Sequence, residues 1–123
     1  MRLLLIALLL TTFSQARLNL AQPTTAGKAS WYGKREQGKK TASGERFDRM
    51  KYTCASRQYR IGTMLRVTYP KTGVTVTVRV NDRGPWVKGR ILDLSERAAH
   101  TLGLKPHGVD FVQIQPLHIW RNQ

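Results

Sequence analysis

Valines at positions 74, 76, 78 and 80 alternate with Thr75, Thr77 and Arg79, the period-two pattern of a strand that buries one face. The turn-favouring run Asn81-Asp82-Arg83-Gly84-Pro85 then breaks the pattern, so a carboxylate sits where a buried strand opens onto a loop. Asp82 keeps the parity of the four valines. Extended geometry carried that far would lean its side chain toward the end of the core, where desolvation can tune a carboxyl group.

The rest of the chain reads as short elements around this strand. Ala29–Tyr32 predicts a first short strand closed by Gly33, and residues 34–48 predict a long surface loop. That loop holds Thr41, Ser43, Gly44 and Glu45, polar groups able to face a sugar. Met64–Tyr69 predicts a strand, and Pro70-Lys71-Thr72-Gly73 turns it into the Val74 strand as a hairpin. Arg90–Leu94 is a further apolar-rich run. Ser95 then caps a helix reaching about Leu102, with Gly103 as its stop and Ala98, Ala99 and Leu102 as its buried stripe. Val109–Gln115 predicts the last strand. Many short strands with one helix predict a mainly β, small barrel.

The first ten residues join Arg2 to the apolar run Leu3–Leu10, too short to span a bilayer, and Ser14-Gln15-Ala16 supplies a small-residue cleavage site. The expected organisation is a signal peptide over 1–16, a flexible leader over 17–26, one domain over 27–117 and a short tail over 118–123. The expected product is an exported protein, periplasmic or secreted, soluble, without a membrane span and monomeric.

Charge narrows the partner. The 123 residues carry 21 Lys and Arg against seven Asp and Glu, a formal net charge of +14, which favours a polyanion or a polyanionic surface. No finger, basic zipper or RNA-binding motif accompanies the charge, and the export signal argues against nucleic acid. Anionic envelope polymers are the expected polyanions. Cys54 stands alone, so no disulfide forms within the chain, and its setting in Thr-Cys-Ala-Ser reads as a small buried hydrophobe. His100, His107 and His118 lack metal-ligand spacing; neither a metal nor another cofactor is expected.

Separated blocks then carry a resemblance. Gly27-Lys28-Ala29-Ser30-Trp31-Tyr32-Gly33, Lys40-Thr41-Ala42-Ser43-Gly44-Glu45, Val78–Ser95 with its Asn-Asp-Arg-Gly-Pro turn, and Ala98-Ala99 with Leu102-Gly103 together resemble the RlpA-like (rare lipoprotein A) family. The resemblance spans about Gly27 to Leu117. It implies a six-stranded double-psi β-barrel with one or two short helices, related to the barwin and expansin folds. It also implies a lytic transglycosylase acting on peptidoglycan glycan strands in a bacterial envelope. The family's acidic site residues fall on Glu45 and Asp82, and the position of its histidine is Ser56. Family members are commonly lipoproteins with a cysteine at the signal cleavage site, and many add a septal-glycan-binding domain; neither feature is carried over here.

Such an enzyme cuts between N-acetylmuramic acid and N-acetylglucosamine. It must protonate the leaving oxygen and stabilise an oxocarbenium-like transition state. The muramyl C6 hydroxyl, rather than water, then attacks C1 and leaves a 1,6-anhydro end. One carboxyl can give the first proton and take the second while another supports positive charge. The acid–base role is assigned to Asp82 and the supporting role to Glu45. Expected substrate contacts are Thr41, Ser43, Ser56 and Arg83 as polar groups, with Trp31, Tyr32 and Trp86 as flat faces for sugar rings or, equally, as core. Ser56 can hydrogen-bond a sugar but cannot exchange protons near neutral pH. Arg79, Arg83 and Arg90 leave a second reading of Asp82 open, as an ionised partner in a structural ion pair. Besides the enzyme, a noncatalytic expansin-like wall-binding or wall-loosening module and a secreted cationic polyanion binder stay in view.

Overall fold

The computed structural model describes residues 23–117, so the predicted signal peptide, most of the leader and the tail lie outside the described residues. Six strands form a closed barrel: β1 (Thr25–Tyr32), β2 (Thr53–Ala55), β3 (Met64–Tyr69), β4 (Val74–Asp82), β5 (Arg90–Ser95) and β6 (Asp110–Leu117). Their order around the wall is β1-β5-β2-β4-β3-β6, closing back on β1. β1 runs parallel to β5 and β2 parallel to β4, while the remaining neighbours are antiparallel. This is the mainly β, six-stranded double-psi barrel that the sequence resemblance implied.

Alternation fills the barrel. Leu65, Val67, Val76, Val78, Val80, Leu92, Leu94, Val112 and Ile114 all turn inward and are buried. The helix α1 (Glu96–Leu102) lays Ala98, Ala99 and Leu102 onto the same core. Ser95 starts it: its Oγ accepts the Ala98 N–H at 3.3 Å and donates to the Lys51 carbonyl at 2.6 Å. Gly103 ends it at φ 80°, the left-handed conformation of a helix C-terminus. A short 3-10 turn, Lys105–His107, leads into β6. Among the described residues no helix is long and apolar enough to cross a membrane.

Several elements differ from the sequence expectation. β1 begins at Thr25 rather than Ala29, because Gly27 lets it pass close to β5; a Cβ there would stand 2.3 Å from Ile91 Cδ1. β2 has only three residues, too few for any periodicity to announce it. β6 spans Asp110–Leu117, shifted from the expected Val109–Gln115.

The most consequential difference is at the end of β4. The strand continues through Asp82, but against β2 its register jumps: Cys54 pairs with Val80 and Ala55 with Asp82. That bulge skips Asn81, so Val80 and Asn81 are both buried and the valine parity stops. Asp82 therefore does not point into the end of the core. It faces a groove on the outer wall.

Candidate active site

Strand register sets out a row of four residues across the wall. Asp82 on β4 pairs with Ala55 on β2, Ala55 pairs on its other side with Asp93 on β5, and Asp93 pairs with Ser30 on β1. All four line one groove of about 420 Å³. Glu36, Lys39, Lys40, Thr41 and Phe47 line it from the loop after β1, and Arg83, Gly84, Pro85, Trp86, Val87 and Arg90 from the segment that follows β4.

Asp82 is held by backbone. Its Oδ1 accepts the Ala42 and Arg83 N–H groups, both at 2.9 Å, leaving Oδ2 as the oxygen open to a ligand. Among the described residues it has no ion pair, and two of the nearby arginines, Arg79 and Arg83, are engaged elsewhere. Arg79 makes a two-pronged bridge to Glu45 at 2.7 and 3.2 Å, and Arg83 Nη1 donates to the Ser56 and Tyr59 carbonyls at 2.8 and 2.6 Å. The structural ion-pair reading of Asp82 is thereby removed.

Asp93 is the acid that sequence reasoning missed. It stands between the core leucines 92 and 94 on β5, which by strand alternation places it on the outer face. The covering loops then desolvate it. Burial pushes its carboxyl up to about 6; the Ser30 Oγ hydrogen bond at 3.0 Å and the Arg90 charge oppose the rise, while the Glu36 and Asp82 charges add to it. An acid flanked by two core leucines was a visible signal. Its desolvation, which makes it useful, was not.

Glu45 is brought near but not into the groove lining. The Arg79 guanidinium, followed by the Asn81 amide, holds its carboxyl below the usual range. Its bridge to Arg79 is one of three ties from the loop over residues 41–45 to the end of β4. The others are Ala42 N–H to Asp82 Oδ1 and Ser43 N–H to the Asn81 carbonyl at 3.0 Å. Gly44, at φ 92°, supplies the left-handed turn that this tight loop needs.

The remaining predicted contacts divide. Thr41, Tyr32, Arg83 and Trp86 line the groove, and Trp86 is 77% exposed with the Arg57 guanidinium 5.8 Å from its ring centroid. Thr41 Oγ1 is 2.6 Å from the Glu45 carbonyl and 2.9 Å from Ser43 Oγ, so both hydroxyls shape the loop. Ser56 is fully buried, and its Oγ accepts the Gln58 and Tyr59 N–H groups at 3.1 and 3.0 Å; it turns a loop and does not line the groove. Trp31 is half-buried against the core beneath Lys105, 5.4 Å from its ring centroid, and is likewise absent from the groove. Cys54 is buried, as its setting indicated, and burial pushes its thiol up, away from thiolate chemistry.

Fold and site define a double-psi β-barrel with a groove on its outer wall lined by the carboxylates of Glu36, Asp82 and Asp93. The family model described as lytic transglycolase matches residues 24–114, and the chain belongs to that family. The chain is 45% identical over 98 residues to the endolytic peptidoglycan transglycosylase RlpA of Neisseria meningitidis serogroup A, covering 80% of this chain and 41% of that protein. It is 52% identical over 83 residues to the probable endolytic peptidoglycan transglycosylase RlpA of Aquifex aeolicus, covering 68% and 37%. The chain thus spans about two-fifths of the length of these relatives. Among solved structures, the apo Clavibacter michiganensis expansin superposes with a TM-score of 0.64 at 28% identity, covering 81% of this chain and 53% of that one. The Streptomyces papain inhibitor gives a TM-score of 0.64 at 22% identity over 78% of this chain and 96% of that one, a likeness of fold alone.

Proposed function

We propose that this chain is a lytic transglycosylase domain that cleaves peptidoglycan glycan strands between N-acetylmuramic acid and N-acetylglucosamine, leaving 1,6-anhydromuramyl ends. The observation that carries the proposal is the placing of two carboxyl groups, Asp82 and Asp93, on either side of Ala55 in one open groove. Asp93, pushed up to about 6, retains a proton that it can donate, and Asp82 stands one residue away across the wall. Relatives named as peptidoglycan transglycosylases over the matched region support the same chemistry.

In this reading Asp93 protonates the leaving oxygen and then, as a carboxylate, takes the proton of the muramyl C6 hydroxyl as that oxygen attacks C1. Asp82 supports the positive charge that develops at the ring. The acid–base role first expected of Asp82 thus passes to Asp93, because burial raises that carboxyl, and Asp82 takes the supporting role first expected of Glu45. Glu45 serves by holding the loop that delivers the Ala42 N–H to Asp82. The substrate belongs to the bacterial envelope, and we propose that envelope as the location. Anionic envelope polymers are a second proposed partner of the +14 chain, with binding that weakens as salt rises.

Mass analysis of purified glycan strands after incubation with the full chain tests the proposal. The expected products carry anhydromuramyl ends, and their absence under conditions of strand binding overturns it. The expansin likeness and the inward-facing Ser56 favour a second reading, a noncatalytic wall-binding module. That module would bind strands without cutting them and tolerate loss of both aspartates.

A further inference from the structure

Tyr32 lines the groove, and its hydroxyl is buried behind that lining and makes no hydrogen bond among the described residues. Thr53 Oγ1 and Asn81 Oδ1 share that lack of a partner but do not line the groove. Two other sequestered hydroxyls of the barrel are satisfied: Tyr69 donates to Asp110 Oδ2 and Ser95 to the Lys51 carbonyl, each at 2.6 Å. A buried polar group without a partner costs stability, so one kept at the wall of a groove marks a bond that a ligand completes.

Its surroundings limit which bond that is. The Tyr32 ring is stacked on Phe47 with centroids 4.3 Å apart and planes 28° apart, which fixes where the hydroxyl points. Tyr32 lies two residues beyond Ser30 on β1, on the same face, and Ser30 is the residue that holds Asp93. Burial, then the charges of Asp82 and Asp93, push the phenol up, so it stays protonated and can donate. A sugar hydroxyl beside a carboxylate donates to it and keeps lone pairs free to accept from a phenol.

We propose that Tyr32 Oη contacts the substrate and holds the attacking C6 hydroxyl of the muramyl ring between itself and the Asp93 carboxylate, a role that rests on the transglycosylase reading. The leaving oxygen receives the electrons of the C1–O bond together with the Asp93 proton. The C6 oxygen then forms its bond to C1 and releases its proton to Asp93, which returns to its starting state without any co-reactant. Water in the same place would also attack C1, but would leave a reducing end. Tyr32 therefore governs the partition between anhydro and reducing ends.

Tyr32→Phe removes Oη and keeps the ring on Phe47. Turnover is expected to fall about tenfold with glycan Kd little changed, the melting temperature should rise as the unpartnered buried hydroxyl is removed, and reducing ends should rise relative to anhydro ends. Phe47→Leu, which loosens the stack but retains Oη, is expected to produce a smaller shift in the same direction and gives a second reading should Tyr32→Phe fail to fold. If wild type makes anhydro ends and both folded variants match its turnover and product ratio, the role of Tyr32 is overturned and the transglycosylase reading stands. If wild type makes no anhydro ends, the transglycosylase reading itself fails.

Discussion

Asp82 and Asp93 share a neighbour: each pairs with Ala55, one from β4 and the other from β5, so they flank a single methyl group on the barrel wall. Two strand spacings separate their backbones, about 10 Å, and the small side chain between them leaves a floor over which a sugar ring can lie.

That floor can be filled. Ala55→Leu is expected to weaken glycan binding and reduce cleavage by about tenfold or more, at a packing cost of roughly 1–3 kcal/mol. Titration with glycan strands, alongside a thermal melt, checks it. Wild-type affinity in a folded variant would show that the glycan does not pass between the two acids.

Asp93 ties stability to pH. Its folded value, about 6, lies above that of an unfolded aspartate, so the native state binds this proton more tightly. Its contribution is fully present below about pH 4 and is lost as pH rises through about 6. Asp93→Asn is therefore expected to gain about 3 kcal/mol over wild type at pH 8 and little at pH 4. Denaturant unfolding at both values measures this; an equal difference at the two would refute the assignment.

The same proton sets the rate profile. Cleavage by wild type is expected to decline above about pH 6 as Asp93 ionises. Glu36 adds a negative charge near Asp93 while its Oε2 accepts the Gly33 N–H at 3.0 Å, a bond that glutamine can keep. Glu36→Gln removes the charge, so the alkaline limb of kcat/KM should move to lower pH. A limb that stays in place would dissociate Asp93 from the acid role.

In the proposed mechanism Glu45 acts through Asp82. Glu45→Gln leaves Arg79 without its charged partner and loosens the loop that carries the Ala42 N–H, with an expected loss of about tenfold against at least ~100-fold for Asp82→Asn. In the double variant the Glu45 change should add little. Multiplying losses would instead indicate that Glu45 touches the substrate itself.

Trp86 offers its face to solvent at the groove edge. Trp86→Ala should weaken glycan binding about fivefold or more without changing the melting temperature, since little core is lost. Unaltered affinity would remove this ring from the binding surface.

Much of the fold is legible in local periodicity. The hairpin from Met64 through the valine strand, the Ser95 cap, the helix stripe and the buried setting of Cys54 all follow from spacing and residue type, because each depends on neighbours within a few positions. The Asp82 turn was legible for the same reason, whereas Trp86 and Tyr32 read equally as core until the fold set them in the groove lining. The short strand Thr53–Ala55 was not, since three residues carry no period, and with it went the register that sets Ala55 between two acids. Tertiary structure alone decided that the bulge at Asn81 turns Asp82 outward, that Arg79 chooses Glu45, and that Ser56 faces inward. It also decided that Asp93 is the acid whose proton burial holds. Desolvation is a property of the segments folded over a carboxyl group, and one of those, the loop after β1, lies dozens of residues away in the chain.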